Sequence, residues 1–237
     1  MTFIPPKRIE RIANGDFQRY KKMKGIITAS FPLNPEDIFF TLFGLTTRFV
    51  DFNEHGIVSP AGQSVLGALY PEGFYFCGED RQILVNVTCQ IEEEAEQFPY
   101  LEQMHRFTIF HEGGHEALHV RPDRDQLSFF PKSRQYYRNE PFLCRKDQIS
   151  GHTQEPLEYQ ANRYAAAMMM PADEVFKVVG EQKDVDVLKI GPKFREHFGV
   201  SQYAMERRLF EQEYRYINGK YEHIQKERRR VQLGIKK

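Results

Sequence analysis

The sequence predicts an α+β fold, in which a small antiparallel sheet packs on helices and further helices follow towards the C-terminus. Between residues 47 and 90, short apolar or alternating runs are separated by turn residues, which is typical of strands in a sheet. From residue 98 onwards, apolar residues recur at three- and four-residue steps, which indicates amphipathic helices. The 237 residues, 41% of them hydrophobic, suit one domain, or one domain with an appended lobe.

The connections indicate how the predicted strands pair. Segments 74–78 and 81–87 are joined by turn residues too few for a crossover, so we expect an antiparallel hairpin. We expect residues 83–87 to form an edge strand, to which an extended peptide could add as a further strand. Phe142–Arg145 is a candidate for one more strand. The strands predicted in the first region cover residues 48–52, 65–70, 74–77 and 83–88.

Capping and stop signals delimit the predicted helices. A short first helix is expected over residues 9–20, interrupted at Asn14-Gly15. Asn34 is a candidate N-cap, followed by a proline and two acids, and it predicts a second, buried helix. Thr153 is a candidate N-cap for a helix that Pro171 stops. The remaining predicted helices cover residues 98–119, 172–179, 188–197 and 201–216.

The composition argues against nucleic acid and the membrane as overall partners. The formal net charge at pH 7 is zero, whereas nucleic-acid-binding proteins usually carry a basic excess. No apolar run is long enough to cross a bilayer, and the first residues lack the apolar core of a signal peptide. Cys77, Cys89 and Cys144 are an odd number of cysteines without a C-x-x-C pair, which favours a reducing, cytoplasmic location.

The strongest chemical signal is the sequence His111-Glu112-Gly113-Gly114-His115, an H-E-x-x-H pattern inside a predicted helix. Residues four apart lie on one face of a helix, so two imidazoles at this spacing can bind one zinc ion. The glutamate beside the first histidine lies where it can accept a proton from the water that the ion activates. The alternative is a pair of surface histidines, on a helix that ends near its two glycines. A sequence that tolerates both glycines suggests that something packs close to the backbone there.

A hydrolytic zinc site needs a third protein ligand, and Glu158 is the best candidate. It lies near the start of a helix whose alanines permit close packing against the first helix. Asn162, one turn further on the same face, could hydrogen-bond the free ring nitrogen of His111 or His115. The alternative for Glu158 is an ordinary first-turn acid that interacts with the helix dipole. The competing ligands are Glu155, His152 and Cys144.

These segments resemble the ImmA/IrrE family of bacterial and phage metallopeptidases. The resemblance rests on residues 111–115 with the following His119, and on a second pattern that begins at Glu158. Residues 83–87, 106–110 and 198–209 are also similar to that family, and the similarity covers roughly residues 60–210. The second pattern reads Glu158-x-x-Ala161-Asn162-x-x-Ala165-Ala166-x-x-Met169-Met170-Pro171.

The resemblance implies a minimal gluzincin fold, in which a small sheet packs on an active-site helix and a second, ligand-bearing helix. It implies zinc as the cofactor, His111, His115 and Glu158 as its ligands, and Glu112 as the general base. It also implies limited proteolysis of a protein substrate, such as a transcriptional repressor with a helix-turn-helix. Gly113 departs from the family, which more often has a bulky apolar residue there, and this puts the rigidity of the helix in question.

We expect three parts along the chain, with the metallopeptidase-like domain in the middle. Residues 46–215 are expected to form the zinc metallopeptidase-like domain, preceded by an N-terminal helical extension over residues 1–45 and followed by a basic tail over residues 216–237. Three residues are candidates for stabilising the oxyanion of the reaction, and the sequence does not rank them. They are His119, Tyr159 and Arg145.

Two other functions compatible with these residues stay open. The first is a non-catalytic, metal-binding regulatory protein that acts by docking to a repressor. The second is a DNA-associated factor that uses the C-terminal helices, although acids such as Glu206 among the bases of 201–208 favour a packing helix. Replacing Glu112 by glutamine separates the peptidase from the docking protein, because only the peptidase needs a general base.

Overall fold

The fold is α+β, as the sequence predicts, and its helices pack on a small sheet. The chain divides into two units, Met1–Ala29 with Asn34–Met169, and Ser30–Leu33 with Met170–Lys237. In the residues described, no helix is long and apolar enough to cross a membrane. The structure is a computed structural model and describes residues 4–57, 65–70, 81–87, 98–120, 142–145, 155–179, 185–212, 214–217 and 220–223.

Helix α1 (Pro6–Lys24) runs without a break through Asn14-Gly15, so the predicted interruption is wrong. Its buried residues are Ile9, Ala13, Phe17 and Tyr20, spaced by three or four along the sequence. One glycine in a helix costs about 1 kcal/mol relative to alanine. Burying an apolar stripe with two large aromatic rings stabilises the helix by more than that, because each large apolar side chain contributes roughly 1.5–3 kcal/mol.

Helix α2 (Pro35–Phe43) begins as its capping signal predicts. The side chain of Asn34 accepts a hydrogen bond of 3.1 Å from the backbone N–H of Asp37. Gly44 ends the helix with a φ of 70°, a left-handed conformation that glycine adopts without steric cost. The apolar face of α2 is buried, and its central ring is Phe39.

The sheet of the first unit has four strands in the order β1-β3-β2-β4. Strand β3 (Gln82–Asn86) pairs antiparallel with β2 (Val65–Tyr70) and parallel with β1 (Thr46–Val50). The sheet is therefore mixed rather than purely antiparallel, and β3 is an inner strand. The prediction that residues 83–87 form an edge strand is wrong, because β1 covers their outer side. Strand β4 (Phe142–Arg145) confirms the predicted extra strand and pairs antiparallel with β2.

The inner position of β3 in the sheet could not be predicted from the sequence, because a buried inner strand and a buried edge strand can have the same apolar pattern. Residues 83–85 of β3 are fully buried, as expected of a strand that is covered on both faces. The predicted hairpin partner at residues 74–78 lies outside the described residues.

Two long helices complete the first unit. Helix α3 (Phe98–His115) continues into a π-helical turn (Glu116–Val120) and packs on the sheet. This confirms the helix predicted from residue 98 to about 119. Helix α4 (Pro156–Met169) packs on α3 and ends just before Pro171, as predicted. The predicted cap at Thr153 lies outside the described residues.

The described residues of the second unit form three helices and a three-stranded sheet. Helices α5 (Ala172–Val179) and α6 (Val187–Phe198) match their predictions closely. Helix α7 (Gln202–Glu211) is shorter than the predicted 201–216, because the aromatic and β-branched stretch after it forms a strand. The strands are β5 (Val185–Asp186), β6 (Tyr214–Ile217) and β7 (Lys220–His223), in the order β5-β7-β6.

Helix α3 tolerates its two adjacent glycines because other helices pack directly against their backbones. A Cβ atom at Gly113 would overlap the ring of Phe39 from α2. A Cβ atom at Gly114 would lie 3.1 Å from the backbone oxygen of Ala161 on α4. The expectation that something packs close to this stretch is therefore confirmed. Phe110 also contacts Phe39, edge to face with ring centroids 5.7 Å apart, so it holds α3 to α2 as well.

The contact between Phe39 and Gly113 can be tested by replacing the large residue with a small one and the small residue with a large one. Replacing Phe39 with alanine should lower the free energy of unfolding by about 3–5 kcal/mol, because it opens a cavity under α3. Gly113→Leu should cost about 1–3 kcal/mol through overpacking, reduced by the better helix propensity of leucine. The loss of unfolding free energy in the double variant should be clearly smaller than the sum of the two single losses, because the leucine fills the space that the phenylalanine ring leaves. Urea unfolding curves would measure all three.

The matched control is Phe40→Ala, because Phe40 is the next residue of α2 and is 61% exposed. We expect it to change stability by no more than about 0.5 kcal/mol. Strict additivity of the Phe39 and Gly113 substitutions would show that the two residues do not share one space.

Candidate metal centre

Three buried side chains converge at the centre of the α3–α4 interface. His111 and His115 lie one helical turn apart on α3, and Glu158 comes from the first turn of α4. Each of them offers one ligand atom, and these three atoms lie within 4.8 Å of one another. The structure thus brings together the three residues that the sequence singled out as ligands.

The distances between ligand atoms are short and similar. His111 Nε2 lies 3.1 Å from His115 Nε2 and 3.1 Å from Oε2 of Glu158. His115 Nε2 lies 3.4 Å from Oε1 of the same carboxylate. Two neutral imidazole nitrogens and one carboxylate are a donor set that catalytic zinc sites use, with a further position left for water. The chemistry and the spacing of this set fit a zinc ion.

The second ring nitrogen of His111 has a partner that favours the ligand form of the ring. Nδ1 of His111 lies 2.9 Å from Oδ1 of Asn162, one turn beyond Glu158 on α4. An amide oxygen only accepts hydrogen bonds, so Nδ1–H of His111 is the donor and Nε2 keeps its lone pair. The predicted hydrogen bond between Asn162 and a site histidine is confirmed, and the ring concerned is His111.

The second ring nitrogen of His115 faces His119 in the π-helical turn. The two Nδ1 atoms are 3.0 Å apart, and the rings are tilted by 51° to each other. His119 is only 6% exposed. A π-helical turn places these side chains differently from a regular α-helical turn and often occurs at functional sites.

The electrostatics of the centre follow from its burial. Burial lowers the pKa of His115 below its usual value, and the nearby Glu158 only partly opposes this. Burial and the neighbouring His115 lower the pKa of His119 to about 3, so this ring is neutral at pH 7. Burial by itself would raise the pKa of Glu158, but the imidazoles of His115 and His111 outweigh it, and the pKa falls well below its ordinary range. These effects of the two rings on the pKa of Glu158 belong to their protonated forms.

Glu112, the predicted general base, is fully buried beside His111. Its carboxylate lies against β2, because a Cβ atom added at Gly67 would be 3.7 Å from Oε1 of Glu112. The same Cβ atom would overlap the methyl group of Thr108 and lie 3.0 Å from the backbone oxygen of Leu84. Sequence analysis missed Gly67. A glycine inside a strand pattern was its one visible signal, since such a glycine often marks a close approach.

A second buried carboxylate follows the motif. Glu116 opens the π-helical turn and is fully buried, and its Oε2 lies 3.2 Å from Nε of Arg81, just before β3. This ion pair joins the end of the site helix to the sheet. Breaking one partner of a buried pair is strongly destabilising, because a buried charge is left without compensation.

The competing residues lie elsewhere or outside the described chain. Glu155 precedes α4 and is exposed, and Cys144 belongs to β4. His152 lies outside the described residues. Among the residues proposed to stabilise an oxyanion, Tyr159 is half-buried, with its hydroxyl 3.4 Å from a guanidinium nitrogen of Arg163. The other two are Arg145, on β4, and His119, described above.

Comparison with protein families agrees with this geometry. The model of the Peptidase_M78 family, the IrrE N-terminal-like domain, matches residues 101–210. Residues 101–210 of the chain are therefore similar to an IrrE N-terminal-like domain. The match includes both helices of the centre and confirms the resemblance seen in the sequence. No curated protein matches the chain. Family and geometry together point to a metallopeptidase.

The close approach of β2 to Glu112 can be tested by a substitution at Gly67. Gly67→Ala should lower the free energy of unfolding by about 1–3 kcal/mol, because the new methyl group collides with that of Thr108. Thr108→Ser in the same chain should recover part of this loss. Serine lacks the colliding methyl group but keeps the hydroxyl, which in Thr108 donates to the backbone oxygen of Met104 at 2.9 Å. Denaturant midpoints would measure the effects, and a loss that Thr108→Ser leaves unchanged would contradict the predicted collision.

Proposed function

We propose that this protein is a zinc-dependent endopeptidase that cleaves a protein substrate. In this proposal His111, His115 and Glu158 hold the zinc ion and Glu112 is the general base. The observation that carries it is the buried convergence of two imidazoles and a carboxylate within 4.8 Å, in a domain of a peptidase family. Buried groups of this kind are costly to desolvate, so a cluster of them is a functional-site hypothesis with a physical basis.

The residues of the centre divide the work of peptide hydrolysis between them. When bound, the ion would supply Lewis acidity that polarises the peptide carbonyl and makes water a better nucleophile at neutral pH. The carboxylate of Glu112 would take the proton of the attacking water as the new C–O bond forms. It would then give that proton to the amide nitrogen as the C–N bond breaks, which leaves Glu112 ionised again. Asn162 would keep His111 oriented through Nδ1.

The topology of the sheet favours β4 as the strand along which a substrate lies. Strand β3 has neighbours on both sides, so it offers no free edge. Cys144 of β4 pairs with Gly67 of β2, and Gly67 lies beside Glu112. Among the described strands, β4 is the outer strand nearest to the general base. An extended peptide could add to this side of the sheet, with its backbone held by ladder hydrogen bonds.

The substrate class we propose is an intracellular regulator, a transcriptional repressor with a helix-turn-helix being the leading candidate. The support is the resemblance to the ImmA/IrrE family, whose members act on such proteins. The same resemblance and the odd number of cysteines support a cytoplasmic location. The neutral formal charge gives no support to nucleic acid as a direct partner.

Replacing Glu112 by glutamine should keep zinc but abolish cleavage, because the amide has nearly the same shape and cannot accept the proton. Elemental analysis of the purified variant would measure the zinc. Mass spectrometry of protein N-termini, in cells that make wild type or variant, would reveal termini that only the wild type creates. These termini would also name the substrate. The matched control is Glu102→Gln, an exposed residue of the same helix, which should create the same termini as wild type.

If wild type and Glu112→Gln give identical termini while both retain the same biological effect, the protein acts by docking and the peptidase proposal is wrong. Loss of zinc from Glu112→Gln would contradict its assignment as a base that does not ligate the ion.

Zinc should also stabilise the fold through its three ligands. Ligand at 100 times its Kd adds about 2.7 kcal/mol to the stability of the state that binds it. Adding zinc to chelator-treated wild type should therefore raise its Tm, and the rise should be largely lost in Glu158→Ala. Glu155→Ala is the matched control, since Glu155 lies exposed three residues earlier, and its rise should equal that of wild type. An undiminished rise in Glu158→Ala would show that Glu158 is not a ligand.

A further inference from the structure

A third histidine is buried beside the three ligand candidates, and the proposed function gives it no role. His119 lies one helical step beyond His115, in the π-helical turn, and is 6% exposed. Its Nδ1 faces Nδ1 of His115 at 3.0 Å, whereas Nε2 of His115 faces His111 and Glu158. His119 therefore contacts the Nδ1 side of the His115 ring, whereas the other two ligand candidates lie on its Nε2 side.

The valence of the two rings restricts where their protons lie. Two nitrogens 3.0 Å apart can share only one proton in an N–H···N hydrogen bond. If His119 donates, Nδ1 of His115 accepts, and the proton of the neutral His115 ring lies on Nε2, which then has no lone pair for a metal. If His115 donates, Nε2 of His115 keeps its lone pair and the proton of His119 lies on its own Nε2. Only the second arrangement makes His115 a ligand.

The surroundings hold His119 in this place. The π-helical turn that carries it is joined to the residue before β3 by the ion pair of buried Glu116 with partly buried Arg81, at 3.2 Å. Gln160 of α4, which is fully buried, is a polar neighbour of His119. The turn, the ion pair and the facing helix together fix the position of the His119 ring relative to His115.

We propose that His119 is a positioning residue that accepts a hydrogen bond from Nδ1–H of His115 and so selects the metal-binding tautomer of that ring. The proposal rests on the ligand role of His115 in the proposed function. It gives each histidine ligand its own acceptor, Asn162 for His111 and His119 for His115. It also removes His119 from the candidates for stabilising the oxyanion.

Zinc affinity separates this role from simple packing. Competition with a chromophoric chelator would give the zinc Kd of purified full-length variants. His119→Leu fills much of the space but cannot accept a hydrogen bond, and we expect its zinc binding to weaken about 10–100-fold, the usual effect of losing such a partner. His119→Asn places an amide oxygen near the position of Nδ1 and should recover most of the affinity. His105→Leu, on the same helix and half-buried, is the control and should bind zinc as wild type does.

The outcomes distinguish the inference from the proposed function. If wild type binds no zinc, or Glu158→Ala binds it as tightly as wild type, the metal centre itself is wrong and the role of His119 falls with it. If Glu158→Ala loses zinc but His119→Leu keeps wild-type affinity, only the role of His119 is overturned. Equal weakening in His119→Leu and His119→Asn would also overturn it, because the rescue would have failed.

A second measurement needs no substitution and so survives a variant that does not fold. In the zinc-loaded wild type labelled with ¹⁵N, an N–H···N hydrogen bond should give a scalar coupling between Nδ1 of His115 and Nδ1 of His119. The long-range ¹H–¹⁵N pattern of His119 should show its proton on Nε2. A His119 ring protonated on Nδ1, or no coupling between the two nitrogens, would refute the proposal.

Discussion

The close packing of α3 on α4 is the contact on which the metal centre depends. Gly114 faces the backbone of Ala161, and a Cβ atom there would lie 3.1 Å from the oxygen and 3.2 Å from the Cα atom of that residue. A larger residue at either position would push the helices apart. Glu158 and Asn162 flank Ala161 on α4, so their reach to the two histidines depends on that separation. The distances of 2.9–3.4 Å at the centre follow from this approach.

Helices α1 and α2, which precede the segment matched by the family model, contact the two helices that carry the candidate ligands. Tyr164 of α4 packs against Gly114, and its hydroxyl donates a hydrogen bond of 2.9 Å to Asp16 of α1. On the neighbouring position of α3, Phe39 of α2 fills the space above Gly113. The ring of Phe39 thus occupies the volume that a side chain at Gly113 would fill. The N-terminal helices therefore belong to the first unit structurally and hold the site helix in place.

Signals that are local in sequence could be predicted, and those that depend on distant contacts could not. The spacing of His111 and His115, the cap at Asn34 and the stop at Pro171 each depend on residues within one or two helical turns. The continuity of α1 through Gly15 depends on a buried face, which propensity alone does not reveal. The place of β3 inside the sheet depends on β1, more than thirty residues earlier in the chain.

The candidate site shows the same division. Glu158 was singled out because it lies near the start of a helix whose alanines permit close packing, and Asn162 because it follows one turn later on the same face. The fit of Phe39 onto Gly113 and of Gly67 onto Glu112 was not predicted, because in both cases the partner lies on another element. A glycine inside a helix or strand indicates that another element packs close to its backbone, but the sequence does not identify that element. His119 was visible as a residue, and its contact became clear only from the direction of the His115 ring.

Three buried carboxylates of the first unit illustrate how surroundings assign roles to one side chain. Glu116 is compensated by Arg81 and joins the helix end to the sheet, which is a structural role. Oε2 of Glu158 lies 3.1 Å from Nε2 of His111 and Oε1 lies 3.4 Å from Nε2 of His115, which suits a ligand. Glu112 lies against the backbone of β2 at Gly67, the residue that pairs with Cys144 of β4. In the proposed function, the residue that accepts and releases the proton must lie beside the bond being broken, and Glu112 lies beside β2, the neighbour of the strand that we propose for the peptide.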